Sequence, residues 1–126
     1  MYELTIDATF SSAHNLREYE GACENLHGHN WRVEVSVSAS KLDALGMVID
    51  FKKLKTETKA VLDNLDHTYL NVVPPFDRIN PTAENISQHI YRCLSAVLNN
   101  SVVKVSKVQV WESANSSATY HEGHEG

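Results

Sequence analysis

The chain has 126 residues, of which 42% are hydrophobic and 21% are charged, and its formal net charge is −5 at pH 7. This composition is typical of one globular domain and disfavours nucleic acid as a partner, because the eleven Lys and Arg residues are scattered along the chain. No apolar run is long enough to cross a membrane and the first residues lack the pattern of a signal peptide, so we expect a cytoplasmic protein.

The first predicted element is a β-strand that ends at His14. From Tyr2 onward the even positions are mostly apolar and the odd positions are polar, which is the two-residue period of a strand with one buried face. His14 falls on the apolar face. Taken alone, a histidine there is more often a hydrogen-bonded core residue than a metal ligand, so its role depends on its neighbours.

A polar loop follows this strand and contains Cys23, four residues before His27. The thiolate is the reactive form of cysteine, and a nearby metal ion or protonated histidine stabilises it. Cys23 is therefore a candidate for a base or nucleophile, for a fourth ligand of a metal, or for an incidental loop residue. Cys93 lies within a helical pattern, and we expect it to be a packing residue.

The second predicted strand begins with two histidines on its apolar face. His27 and His29 are followed at the same two-residue spacing by Trp31 and three valines. A buried imidazole without partners costs about 1–3 kcal/mol, and one ion shared with His14 would satisfy all three rings. We therefore predict a zinc site, with iron, copper and nickel as the competing metals. Three protein ligands leave one position for water or substrate, which is typical of catalytic zinc.

The first predicted helix follows a short extended piece at residues 46–49, and Asp50 is its N-cap. Apolar residues recur at helical spacing as far as Leu65, so we expect the helix to run up to Asp66 and His67. This pair is a candidate for acid–base work, since a carboxylate can hold an imidazole in one tautomer while the other nitrogen exchanges a proton. The alternative is a histidine favoured by the helix dipole beside a solvated aspartate.

A loop with Pro74-Pro75 and Asn80-Pro81 separates the two predicted helices. Thr82 is the natural N-cap of the second helix, with Glu84 in its first turn. The buried stripe of this helix is expected to comprise Ile86, Ile90, Leu94, Val97 and Leu98. The polar residues 99–101 end the helix.

The third long strand places Glu112 on the same face as Val108 and Val110. A carboxylate is costly to bury without donors. Glu112 is therefore a candidate to accept hydrogen bonds from the N–H groups of a ligand, unless it lies at an edge where the pattern breaks down. A short fourth strand is predicted at residues 118–121, and the histidine-containing tail 121–126 is expected to have no function.

These residues fall within six separated motifs that occur together, in the same order, in one known family. The motifs are Cys-Glu-Asn-Leu-His-Gly-His-Asn-Trp at 23–31, Gly-Met-Val-Ile-Asp-Phe at 46–51, Leu-Asp-His at 65–67, Leu-Asn at 70–71, Asn-Pro-Thr-Ala-Glu-Asn at 80–85 and Trp-Glu at 111–112. With His14 upstream, residues 4–120 resemble the 6-pyruvoyl-tetrahydropterin synthase and 6-carboxytetrahydropterin synthase family. The first motif and the Ser-Ser-Ala-Thr-Tyr segment near the end are most similar to the bacterial carboxy enzymes of queuosine biosynthesis.

The resemblance implies an α+β tunnelling fold, in which two helices lie on one face of a four-stranded antiparallel sheet. Subunits of this fold join their sheets into a β-barrel, as trimers that stack into a homohexamer with the active sites between subunits. Residues 1–120 would form the single catalytic domain, and residues 121–126 a polar tail.

The resemblance also implies a role for each candidate residue. It assigns zinc binding to His14, His27 and His29, catalysis to Cys23, Asp66 and His67, and substrate binding to Glu112 and Thr82. Some relatives lack the cysteine and use a glutamate nearby, but Cys23 is present in this chain.

The implied reaction is a zinc-dependent elimination of triphosphate from 7,8-dihydroneopterin triphosphate. In the carboxy branch, acetaldehyde is also released and the product is 6-carboxy-5,6,7,8-tetrahydropterin. The alternatives are a 6-pyruvoyl-tetrahydropterin synthase, a related enzyme that releases the side chain for folate synthesis, and a pterin-binding protein without turnover. A thiol hydrolase using Cys23 and His67 is a further alternative, but it would leave the three histidines unexplained.

Overall fold

The computed structural model describes residues 1–20 and 24–123. They form a four-stranded antiparallel sheet in the order β1-β2-β3-β4, with two helices packed against it. The elements are β1 (Tyr2–His14), β2 (His27–Ala39), α1 (Phe51–Asp63), a 3-10 turn (Leu70–Val72), α2 (Ala83–Leu98), β3 (Lys104–Ser113) and β4 (Ser116–Tyr120). No helix in these two ranges is both long and apolar enough to span a membrane.

The first two strands pair along their full length, from Tyr2 opposite Ala39 to His14 opposite His27. Both strands have the phase that the two-residue period predicts. Residues opposite each other in an antiparallel pair share one face of the sheet. The histidines at the ends of β1 and β2 therefore project to the same side, which is the side that the helices cover.

The hydrophobic core lies between the helices and this face of the sheet. Its largest fully buried side chains are Trp31, Phe10, Phe76, Leu54, Leu65, Leu70, Ile86, Ile90 and Leu94. Burial of one such side chain contributes about 1.5–3 kcal/mol. The edge of this core is also a wall of the histidine cluster, because the rings of Trp31 and His14 meet at 83° with centroids 4.9 Å apart.

The first helix begins as predicted but ends earlier. The Asp50 side chain caps it by accepting a hydrogen bond from the N–H of Lys52. The helix stops at Asp63, so the prediction that it runs up to residues 66 and 67 was wrong. The reason is that Leu65 is fully buried in the turn that follows, and it thereby extends the apolar pattern beyond the helix.

Three other local predictions also needed correction. Residues 46–49 belong to an irregular connection in which the Asp43 carboxylate accepts from the N–H groups of Leu45 and Met47. In α2, which Thr82 caps as predicted, Val97 is 57% exposed and is not part of the buried stripe. Strand β4 begins two residues earlier and ends one residue earlier than predicted.

Candidate metal centre and active site

Three histidine rings meet where the last residue of β1 lies beside the first residue of β2. His14 lies opposite His27, and His29 lies opposite Ser12 on the same face. The ring centroid of His14 is 4.7 Å from that of His27 and 5.1 Å from that of His29. The ring centroids of His27 and His29 are 4.7 Å apart. The structure thus brings together the three residues that the strand period places in phase.

Main-chain carbonyl groups set the orientation of two of these rings. His14 Nδ1 lies 2.7 Å from the carbonyl oxygen of Pro81, and His27 Nδ1 lies 2.8 Å from that of Asn25. A carbonyl oxygen only accepts, so each Nδ1 carries the proton and donates. In the neutral rings, each Nε2 therefore has a lone pair free for a metal ion, which is how metal-binding histidines are usually oriented.

Glu112 completes the group from β3. Its Oε2 atom is 3.2 Å from His14 Nε2 and 3.5 Å from His29 Nε2. One ligand atom each from His14, His27, His29 and Glu112 lies within 4.8 Å of the other three. The two-residue period of β3 predicted the face on which Glu112 lies. The sequence indicated that its carboxylate accepts hydrogen bonds from a ligand, but it did not predict that Glu112 lies beside the histidines.

The chemistry of these donor atoms fits a bound cation. The Nε2 atoms of His14 and His29 are buried and make no hydrogen bond to the described residues. Burial lowers the pKa of His29 below its ordinary value, although the Glu112 carboxylate acts in the opposite direction. Neutral imidazole lone pairs and a carboxylate repel one another unless a positive charge lies between them. These four residues could hold a metal ion, and imidazole suits zinc, iron, copper and nickel.

Asp66 and His67 lie at the outer edge of β1, bound to the main chain of Ser11. The Asp66 Oδ1 atom accepts from the N–H of Ser11 at 2.8 Å, and the N–H of His67 donates to the Ser11 carbonyl at 2.6 Å. That Ser11 N–H lowers the pKa of Asp66, burial opposes the shift, and the neighbouring His67 lowers the pKa further. The carboxylate is therefore ionised at neutral pH.

The Asp66 carboxylate also holds the imidazole of His67. Its Oδ2 atom lies 3.1 Å from His67 Nδ1, and the His67 side chain is 82% exposed. His67 has a φ of 55°, in the left-handed region that non-glycine residues rarely adopt. It lines one open groove of about 470 Å³ together with His29. An exposed imidazole with one nitrogen held by a carboxylate and the other free can exchange protons with a bound molecule.

Cys23, the remaining candidate of the catalytic set, lies outside the described residues, as do residues 124–126 of the tail. Glu24, the residue after Cys23, is bound to Leu16, which lies two residues beyond the end of β1. The Glu24 N–H donates to the Leu16 carbonyl at 2.8 Å, and Glu24 Oε1 accepts from the Leu16 N–H at 3.1 Å. The same carboxylate lies 3.9 Å from His27 Nδ1.

Thr82 lies next to the site, but its hydroxyl oxygen is engaged as the N-cap of α2. It accepts from the N–H of Asn85 at 3.1 Å. The preceding residue, Pro81, supplies the carbonyl that binds His14. Neither Pro81 nor Asn25 is recognisable from the sequence as the partner of a histidine, because a main-chain carbonyl leaves no signal in residue type.

Comparison with known proteins places these features in context. The model of the family described as 6-pyruvoyl tetrahydropterin synthase matches residues 3–123. A relative named 6-carboxy-5,6,7,8-tetrahydropterin synthase from Bacillus subtilis (strain 168) is 38% identical over 115 residues, covering 87% of this chain and 77% of that protein. A relative of the same name from Synechocystis sp. is 34% identical over 125 residues, covering 95% and 93%.

The fold has a close counterpart among solved structures. The structure of Caenorhabditis elegans 6-pyruvoyl tetrahydropterin synthase matches with a TM-score of 0.79 and 30% sequence identity, over 98% of each chain. The four antiparallel strands and two helices are therefore the arrangement found in that protein.

Proposed function

The chain belongs to the 6-pyruvoyl tetrahydropterin synthase family, and from this we propose that it is a lyase that converts 7,8-dihydroneopterin triphosphate to 6-carboxy-5,6,7,8-tetrahydropterin. Triphosphate and acetaldehyde are the other products, and one water molecule is consumed. The observation that carries the proposal is the convergence of one ligand atom from each of three imidazoles and one carboxylate, all within 4.8 Å of one another. The shared name of the relatives from Bacillus subtilis and Synechocystis supports the carboxy branch, and with it a role in queuosine biosynthesis.

The proposed metal is zinc, held by Nε2 of His14, His27 and His29. When bound, zinc supplies a Lewis acid that acidifies the hydroxyl groups of the substrate side chain. The Nε2 atoms of His14 and His29, which make no hydrogen bond to the described residues, and the carbonyl-bound Nδ1 atoms of His14 and His27 support this ligand set. Three ligands from the chain leave room for substrate, as in other catalytic zinc sites.

Glu112 is proposed to bind the pterin ring beside this site. A carboxylate has two acceptor oxygens, and the 2-amino and N3–H groups of a pterin are two donors on one edge. The Glu112 side chain is 38% exposed, so a ligand can reach it. Its closeness to the His14 and His29 rings would then place the side chain of the pterin at the metal ligands. Thr82, whose main chain follows Pro81, is proposed to border the same pocket.

Cys23, Asp66 and His67 are proposed to move the protons. In this scheme the Cys23 thiolate removes a proton from the substrate side chain. His67, which Asp66 holds through Nδ1, donates or returns a proton through Nε2. The ionised state of Asp66 supports this role, because it keeps the Nδ1 proton of His67 in place.

The proposal includes assembly into a homohexamer whose sheets close a β-barrel. Both outer strands of the sheet have an edge that can pair with another chain. Among the described residues, residues 66–68 form hydrogen bonds with the main chain of β1 only at Ser11 and Ala13. We also retain a cytoplasmic location, one catalytic domain at residues 1–120 and a polar tail at 121–126 as parts of this proposal.

Product analysis tests the proposed reaction. Zinc-loaded protein is incubated with 7,8-dihydroneopterin triphosphate, and acetaldehyde is measured together with the mass of the pterin product. We expect stoichiometric acetaldehyde and a carboxypterin, and neither product with Cys23→Ala. A pterin that retains all its side-chain carbons, without acetaldehyde, would instead assign the chain to the pyruvoyl branch that the Caenorhabditis elegans structure represents. No turnover at all would refute both branches.

A further inference from the structure

The chain after His14 is held by side chains in place of a neighbouring strand. Asn80 Oδ1 accepts from the N–H of Arg17 at 2.8 Å, and Asn80 Nδ2 donates to the Arg17 carbonyl at 3.1 Å. This pair of bonds is the pattern that two opposed residues of an antiparallel sheet exchange. Asn71 holds Asn15 in the same way, at 3.0 and 2.8 Å.

Asn80 is also fixed through its own main chain. Its carbonyl oxygen accepts from Asn85 Nδ2 at 2.9 Å and from the N–H of Thr82 at 2.9 Å. The residue that follows is Pro81, whose ring restricts φ. The side chain of Asn80 is thus bound to Arg17, and its carbonyl is bound to Asn85 and Thr82. These bonds determine the direction of the next carbonyl, that of Pro81, which binds His14 Nδ1 at 2.7 Å.

The Arg17 guanidinium ties the rest of this loop to the same point. It donates to the carbonyl oxygens of Asn71 at 3.0 Å, Ile79 at 3.2 Å and Phe76. The loop between α1 and α2 is thus bound to the residue that Asn80 clamps. Arg17 is hydrogen-bonded to Asn80, and Asn80 is followed in the chain by Pro81. The Pro81 carbonyl is hydrogen-bonded to His14, a proposed metal ligand.

We propose that Asn80 is a positioning residue of the metal centre. By holding the Pro81 carbonyl against His14 Nδ1, it maintains the tautomer and ring direction that present Nε2 to the ion. This inference rests on the proposed function in one respect, namely that His14 is a metal ligand. Groups that orient a metal-bound histidine typically change metal affinity by about 10–100-fold when they are removed.

The test must separate this role from a general loss of stability. Asn100 is a matched control, because its Oδ1 accepts from the N–H groups of Val102 and Val103 at 2.8 and 2.7 Å in the turn between α2 and β3. Asn100→Ala therefore also removes an asparagine that binds the main chain at two points, in a different part of the molecule. Asn80→Asp keeps an acceptor for the Arg17 N–H but has no N–H for the Arg17 carbonyl.

Zinc dissociation constants are measured at 25 °C by competition with a chromophoric chelator, on proteins whose circular dichroism shows them to be folded. We expect Asn80→Ala to raise the constant by about 10–100-fold, Asn80→Asp to raise it less, and Asn100→Ala to leave it within about threefold of the original chain. In the metal-free protein, ¹⁵N shifts should show His14 protonated on Nδ1, and Asn80→Ala should lose this preference. If Asn80→Ala does not fold, Asn80→Asp decides.

The outcomes separate the two proposals. Zinc affinity and a His14 tautomer that do not change in the folded Asn80 variants would overturn the positioning role and leave the metal site standing. An equal loss in Asn100→Ala would also overturn it, because the effect would then be one of general stability. An original chain that binds no zinc would overturn the metal site itself, and this inference with it.

Discussion

Replacing Glu112 by glutamine should weaken pterin binding far more than zinc binding. Glutamine keeps the shape of the side chain, but it removes the charge and turns one of the two acceptor oxygens into a donor group. The proposed pterin edge presents two N–H donors. Both charge-assisted hydrogen bonds are therefore lost, and at most one neutral bond replaces them.

The magnitude follows from the contacts. A hydrogen bond to a charged group contributes about 1.5–3 kcal/mol, so two of them amount to about 3–6 kcal/mol, or about 10²–10⁴-fold in affinity. For the metal, the carboxylate lies 3.2 and 3.5 Å from the Nε2 atoms of His14 and His29, but three imidazoles remain after the change. We expect zinc affinity to fall by about 10–100-fold, as for other groups in contact with a metal ligand.

The assay is a fluorescence titration of zinc-saturated protein with neopterin, with the bound zinc measured in parallel. Glu34→Gln is a suitable control: Glu34 is a carboxylate on β2 that contacts Arg32 and accepts from Trp111, and glutamine can still accept that bond. Neopterin affinity within tenfold of the original chain would refute the role of Glu112 at the pterin. Loss of stoichiometric zinc with unchanged neopterin affinity would make it a metal ligand instead.

Three further predictions concern histidines. His27→Ala should abolish stoichiometric zinc and activity together, because one of three imidazole ligands is removed; full zinc occupancy, measured by metal analysis, would exclude His27 from the ligand set. His67→Gly should abolish turnover. Its free energy of unfolding should stay unchanged or rise by up to about 1 kcal/mol, since glycine accepts a φ of 55° without the left-handed penalty but loses more chain entropy on folding. A decrease of more than about 1 kcal/mol, measured by urea unfolding, would contradict this argument. Burial lowers the pKa of His89, so below about pH 6.5 the unfolded chain binds a proton that the native chain does not bind. The free energy of unfolding therefore decreases as the pH is lowered, by at most about 1.4 kcal/mol per pH unit. The gap in urea midpoint between the original chain and His89→Gln should therefore narrow or reverse from pH 7.5 to pH 5.5, and a constant gap would refute this.

The strand period predicted the fold near the site with little error. Thirteen-residue alternation defined β1 and β2 and put His14, His27 and His29 on one face. It succeeded because these strands have one buried and one exposed side, so the pattern and the structure have the same cause. The same period placed Glu112 on the correct face of β3.

What the sequence could not predict depends on contacts between distant segments. The Pro81 carbonyl reaches His14 across 67 positions, and the Ser11 main chain holds Asp66 across 55. Such bonds involve main-chain atoms that every residue has. The end of α1 failed for a related reason, because Leu65 is buried by tertiary packing in a turn and the helical pattern does not distinguish this from one more helical position.

If His14 and His29 bind a metal ion as proposed, their buried lone pairs would couple the stability of this protein to the supply of that metal. Where an ion binds the native state and not the unfolded one, the native state gains free energy by mass action, about 4.1 kcal/mol when the free ion is 1,000 times its dissociation constant. Without an ion, His14 Nε2 and His29 Nε2 would lie beside the Glu112 carboxylate with no hydrogen bond to the described residues. We therefore expect the metal-free chain to open there more often and to be degraded by proteases faster than the metal-bound chain.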